Sequence, residues 1–260
     1  MRRAALALLV AVACAPALRE PATLAPPTTS RSADAILADA QAAWARRADP
    51  GQAEIAESLF VEAAAADERR VDGLLGAMAA LTFRIERERD GAARERLAAR
   101  EVELGQLCQQ RAPASAACDY RLAIALGQLA RDRTSTALDA VDRMVALLRG
   151  AADRDPRLDA GGPHRVLALV LLRAPAWPLG PGDPEAALEQ ARQAVALFPD
   201  APPNQLVLAE ALGKAGHPDE ARTAYERAAA LAAEVDEARE PDAAGWRAEA
   251  ARGLTRGARR

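Results

Sequence analysis

Two six-residue stretches, Gly182-Asp183-Pro184-Glu185-Ala186-Ala187 and Gly216-His217-Pro218-Asp219-Glu220-Ala221, match at an offset of 34 residues, and Ala194 falls on Ala228 at the same offset. A fixed period constrains the fold more than any single residue does. Each period is one supersecondary unit that buries its apolar face only against its neighbours. In both stretches glycine makes a turn and proline then opens a helix, with Glu185 and Glu220 placed to favour the helix dipole. Alanine at the repeated positions lets helix backbones approach closely.

Composition agrees with stacked helices. Half of the residues are hydrophobic and only 3% aromatic, so alanine with leucine and valine supplies the apolar fraction. Alanine is the best helix former and a poor strand former, which argues against β-sandwiches and barrels. The 34 basic and 37 acidic residues leave a formal charge of −3, which argues against a nucleic-acid partner. His164 and His217 fall at non-equivalent positions of successive repeats, and no histidine neighbours a serine or threonine as a nucleophilic triad needs. No glycine-rich phosphate loop follows a strand pattern. The expectation is a non-enzyme with no cofactor and no metal.

A 34-residue period of helical pairs resembles the tetratricopeptide (TPR) pattern. Leu208-Ala209, Gly216, Ala221, Tyr225 and Ala228 stand at that family's small-residue and aromatic positions in the last repeat, and Gly182, Ala187, Ala194 and Pro199 in the one before. Upstream the pattern is degenerate. Trp44, Ala56, Phe60 and Ala63 fit one hairpin turning at Asp49-Pro50-Gly51, and Leu75-Gly76 begins a second, followed by a charged helix over 91–110. A third pair spans 118–152, broken near Arg133-Thr134. The expected fold is all-α, a TPR-like α-solenoid of about five helical hairpins with a C-terminal capping helix, over residues 33–260. The charged run from Arg84 to Asp90, with Arg94, Glu95 and Arg96, reads as a solvated, salt-bridged face.

The N-terminus reads as an address. Met1-Arg2-Arg3 precede an apolar run from Ala4 to Ala13, too short to span a bilayer, so residues 1–13 are expected to be a signal peptide. Ala11-Val12-Ala13-Cys14 resembles the lipobox of bacterial lipoproteins, which implies cleavage before Cys14 and lipid attachment to it. Alanine at position 15 resembles lipoproteins sent to the outer membrane. Residues 14–32 are then the lipidated cysteine and a proline- and threonine-rich disordered linker, holding the domain in the periplasm. In an exported chain, Cys108 and Cys118, ten positions apart, are expected to pair as a disulfide, with two buried thiols as the alternative.

One irregularity breaks the period. Pro163-His164 and Pro203-Asn204 open the first helices of the last two hairpins at an offset of 40, while the following turns are offset by 34. The fourth hairpin therefore carries six extra residues, within Arg173–Pro181. Two readings of Trp177 in this insertion stand side by side. It plugs the solenoid's own core, or it projects over a groove floored by Arg165, Val170 and Glu210.

Residues 155–216 resemble the TatT-component family, periplasmic TPR lipoproteins associated with TRAP-type transporters. The resemblance lies in Gly161-Gly162-Pro163, Arg165, Ala174-Pro175, Trp177-Pro178, Gly182-Asp183, Pro199, Asn204 and Ala209-Glu210. It implies an accessory component of a solute-uptake system, with a periplasmic solute-binding protein as partner and a small apolar or carboxylate ligand. Candidate contacts are Arg165, Val170, Trp177, Asn204 and Glu210. The alternative is a protein–protein scaffold for envelope or pilus assembly with no small ligand. Oligomer formation stays open. Lipid attachment predicts that the full chain partitions into a detergent phase and that Cys14→Ser stays aqueous or uncleaved. Equal detergent-phase recovery of both would contradict it.

Overall fold

The structure, a computed structural model, describes residues 19–27, 30–132, 137–237 and 239–257. The expected signal peptide, Cys14 and the break near Arg133-Thr134 lie outside the described residues. Within the described residues, eleven α-helices run in order: α1 Ala33–Ala45, α2 Gln52–Ala66, α3 Asp72–Arg87, α4 Gly91–Arg111, α5 Ala116–Asp132, α6 Ala137–Arg154, α7 Gly162–Arg173, α8 Pro184–Leu197, α9 Pro202–Lys214, α10 Pro218–Glu234 and α11 Ala243–Gly257. Each helix packs on the next, α3 also touches α5, α7 touches α9, and α9 touches α11. That is five hairpins in a stack, capped by α11.

Local chemistry sets the helix ends. The side chains of Ser32, Asp90 and Asp183 accept hydrogen bonds from first-turn amides of α1, α4 and α8. Prolines open α8, α9 and α10, where a missing N–H costs nothing. Gly51 and Gly216 take left-handed φ values of 77° and 85° in two hairpin turns, a region glycine enters without steric penalty.

Small residues set the helix crossings. A Cβ at Gly76 on α3 would lie 2.5 Å from the Phe60 ring of α2, so the ring sits directly on the α3 backbone. A Cβ at Gly253 on α11 would likewise meet the Tyr225 ring of α10 at 2.4 Å. One core runs from Ala40 to Ala224, and a smaller cluster of Leu206, Ala228 and Ala250, with Tyr225 and Trp246 against it, seats the capping helix. Cys108 and Cys118 are fully buried and form a disulfide across the α4–α5 turn, with Cα atoms 5.4 Å apart.

One expectation is corrected. Part of the expected disordered linker, residues 19–27, lies on the domain. The Arg19 amide donates to Gln106 Oε1 (2.8 Å), the Gln106 amide donates back to the Arg19 carbonyl, and the Ala22 amide donates to the Glu103 carbonyl (3.0 Å). Ala22 and Leu24, two residues apart, put two apolar side chains on one side of an extended chain and pack against the core. The charged run of α3 and α4 is largely exposed and salt-bridged, as expected, and Arg84 reaches inward from it. Glu57 on α2 is 5% exposed, and both Arg84 and Arg100 pair with it, tying three helices together.

Glu101 on α4 is fully buried. The Thr82 hydroxyl donates to its Oε1 at 2.7 Å, and its Oε2 has no hydrogen-bond partner among the described residues. Burial pushes its carboxyl up to about 8, against the pull of the Thr82 bond and the Arg121 charge and with the push of Glu86 and Glu57. The folded chain therefore holds a proton that the unfolded chain releases near 4.5. This contribution to stability is complete below pH 4.5 and is lost progressively as pH rises towards 8. Glu101→Gln should flatten that slope and be more stable than the parent at pH 8. Parallel denaturation profiles of the two proteins from pH 5 to 8 would contradict the assignment.

Candidate functional site

The insertion forms a closed loop over residues 174–183. Its base is tied by the Gly182 amide to the Pro175 carbonyl (2.8 Å) and by the Asp183 amide to the Leu171 carbonyl (3.0 Å), and its tip turns through the Leu179 amide to the Ala176 carbonyl (3.0 Å). The two arms of the loop approach so closely that a Cβ at Gly182 would stand 2.2 Å from the Ala174 carbonyl oxygen. Pro175, Pro178 and Pro181 restrict the rest, and the Trp177–Pro178 peptide is cis. Asp183 then caps α8, so the loop ends on a fixed helix.

Trp177 points out of this frame and is 86% exposed, with Leu179 beside it at 71%. The reading of Trp177 as a plug for the core is thereby overturned. The loop's own hydrogen bonds close it before the ring can reach the helices. Among the described residues, Ile55 is the one other exposed large hydrophobic.

Near the loop's start, Arg173 lines a groove of about 800 Å³ between α9, α10 and α11, with Glu210, Lys214, Tyr225, Arg252 and Arg256. Arg173 pairs with Glu210 at 3.0 Å. Burial raises the Tyr225 phenol, and its hydrogen bond to Arg256 opposes that rise. The groove is mixed in charge, with Arg173, Lys214, Arg222, Arg252 and Arg256 lining it together with Glu210, Asp219, Glu226 and Glu249.

The other expected contacts belong to the scaffold. Val170 is buried in the core. Asn204 is fully buried, and its amide nitrogen donates to the carbonyls of Ala160 (3.0 Å), Ala194 (3.1 Å) and Phe198 (3.2 Å). Its oxygen accepts from Arg165 Nη1 at 3.0 Å. Arg165 Nη2 also meets Asp159 Oδ2 at 2.8 Å, the oxygen to which the Tyr120 hydroxyl donates at 2.5 Å. Burial raises the Tyr120 phenol, so it remains a donor.

This network holds an unusual turn. Asp159, Ala160 and Gly161 take successive positive φ values of 49°, 52° and 82°, and two of them are not glycine. Left-handed backbone at residues with a Cβ is costly and persists only where surrounding contacts fix it. A Cβ at Gly162 would stand 2.5 Å from the Tyr120 hydroxyl oxygen, so packing requires glycine there, while Gly161 is called for by its φ of 82°. Gly161, Gly162, Arg165 and Asn204 are thus a structural lock joining the turn before α7 to α8 and α9, and do not form a groove floor.

Of the five expected contacts, Trp177 and Glu210 face solvent or a groove, while Arg165, Val170 and Asn204 face inward. Sequence reasoning missed Leu179, which shares the insertion with Trp177, and the roles of Asp159 and Tyr120, which are far apart in sequence. His164 Nδ1 meets Gln190 Oε1 at 2.8 Å and His217 meets Glu220 at 3.4 Å, so the two histidines have separate partners.

No protein-family model matches the sequence, and no curated protein sequence is significantly similar to it. Among solved structures, the chain is similar to TTC0263, a thermophilic TPR protein of Thermus thermophilus. The likeness has a TM-score of 0.62 at 21% identity and covers 86% of this chain and 100% of that one. A likeness to MamA has a TM-score of 0.47 at 15% identity, covering 80% of this chain and 96% of that one. The fold is that of a TPR solenoid, with the expected five hairpins and C-terminal cap.

Proposed function

We propose that this chain is a non-catalytic scaffold of the bacterial cell envelope, with Trp177 and Leu179 as its anchor for a protein partner. The observation that carries the reading is the exposure of these two side chains on a loop closed by its own hydrogen bonds. Large apolar groups left in water on a stiff support lose little conformational freedom on binding, and tryptophan is prominent among residues that dominate interfaces. The envelope location rests on residues 1–14, read as an export signal with a lipid anchor at Cys14, and Ala15 after it favours the outer over the inner membrane.

A second reading makes the chain an accessory component of a TRAP-type solute-uptake system, partnered with a periplasmic solute-binding protein. The resemblance of residues 155–216 to the TatT-component family favours it, and the groove beside Arg173 is large enough for a small ligand. The scaffold reading stands first because Arg165 and Asn204, two residues that carry the resemblance, are fully engaged within the fold.

Trp177→Ala tests the reading. An exposed side chain contributes little to stability, so the variant should unfold within about 0.5 kcal/mol of the parent. Loss of a central anchor should weaken partner binding by about 2 kcal/mol or more, roughly thirtyfold. The partner would be taken from chemical cross-linking of the parent protein in its native envelope. Equal affinity of that partner for parent and variant would overturn the role of the loop.

A further inference from the structure

The two ends of the solenoid meet. Arg47, in the α1–α2 turn, donates from Nη2 to Glu240 Oε1 (3.1 Å) and to the Arg239 carbonyl (3.2 Å). Arg87, the last residue of α3, donates from Nη2 to Asp242 Oδ1 (2.6 Å). Glu240 and Asp242 belong to the connector between α10 and α11, more than 150 residues away in sequence.

Both guanidiniums are backed by aromatic rings. Arg47 lies 4.8 Å from the Trp44 ring centre and 5.8 Å from that of Phe83, and Arg87 lies 3.5 Å from Phe83. Trp44 and Phe83 themselves meet edge to face at 5.8 Å. Cations held over ring faces are fixed in place with their remaining N–H groups free to meet carboxylates. Pro241, between the two acids, borders a cavity of about 610 Å³ shared with Arg47, Phe83, Arg84, Arg87 and Arg89. Arg89 makes no ion pair among the described residues. The connector's Glu-Pro-Asp thus sits as a ligand would sit, with its carboxylates on arginines and its proline at the edge of the cavity.

The closure is of a different kind from the rest of the fold. Elsewhere neighbouring helices share apolar cores, α11 included through Ala250 with Leu206 and Ala228, whereas Arg47 and Arg87 meet the connector through ion pairs and hydrogen bonds. The Arg87 and Asp242 side chains are 40% and 39% exposed. An ion pair this open to water is weak and screened by salt, whereas the Arg47 and Glu240 side chains are 12% and 35% exposed and form the more buried of the two contacts.

We propose that Glu240-Pro241-Asp242 is an internal plug, which closes the solenoid end to end by occupying a site for acidic, proline-containing peptide segments. Displacing the plug opens the ring and frees the arginine–aromatic site for such a segment of a partner protein. The proposal is independent of the role given to Trp177.

The test uses the full chain, its Glu240→Lys/Asp242→Lys variant, and a fluorescent peptide of residues 235–243 as probe. The variant should keep its helical circular-dichroism signal, show a larger radius of gyration in solution scattering, and bind the peptide at least tenfold tighter than the parent. The parent should expand towards the variant as salt is raised. Adding Arg47→Glu and Arg87→Glu to the variant should abolish peptide binding. An unchanged radius of gyration in a helical variant overturns the plug. Peptide binding that is absent from the variant, or insensitive to the two arginines, overturns the site.

Discussion

The crossing of α2 over α3 at Phe60 and Gly76 sets the scale for everything else in the molecule. With no Cβ at Gly76, the ring lies against backbone and the two helices close to a distance that larger residues forbid. Glycine inside a helix costs about 1 kcal/mol relative to alanine. The position is occupied by glycine nevertheless, so packing outweighs propensity there. The same device recurs where Tyr225 covers Gly253, and that seam seats the cap. Stacked units of this kind pass their geometry to one another, so the placement of each loop follows from the seams beneath it.

Where hairpins join, backbone groups that no helix can satisfy are met by a few polar side chains. Asn204 serves three carbonyls from the turn before α7 and from the end of α8, and Arg165 links it to Asp159 and so to Tyr120 on α5. A buried amide with all its groups partnered is stabilising, while its removal would leave several buried acceptors without donors. Glu57, held by Arg84 and Arg100, plays the matching part near the N-terminus. The 174–183 loop stands at the other end of the α7–α8 hairpin and is closed by backbone bonds of its own, from Gly182 to Pro175 and from Asp183 to Leu171.

The hairpins were legible in the sequence because their signals are local: a 34-residue period, glycine and proline at turns, alanine at helical spacing. The six-residue insertion was legible for the same reason, as a break in that period. The direction of Trp177 was not, because a proline-rich segment carries no periodicity to say which side faces the core. Arg165 and Asn204 look like binding residues in one dimension. Arg165 and Asn204, 39 residues apart, and Tyr120 on α5 become neighbours only once the hairpins stack. Residues 19–27 read as linker by composition, yet the spacing of Ala22 and Leu24 was enough to hold them on α4. Contacts such as Arg87 with Asp242 depend on the curvature of the whole stack, which no local pattern encodes.

If small residues at the seams fix the stack, the sign of one substitution depends on what covers it. By helix propensity alone, Gly76→Ala should stabilise the chain by about 1 kcal/mol. Beneath the Phe60 ring it should instead destabilise by about 1–3 kcal/mol, because a well-packed contact must give way. In a Phe60→Ala background, where the ring is gone, the same change should stabilise. Denaturant unfolding of the four proteins in this cycle measures the reversal directly. Stabilisation by Gly76→Ala in both backgrounds would contradict the account.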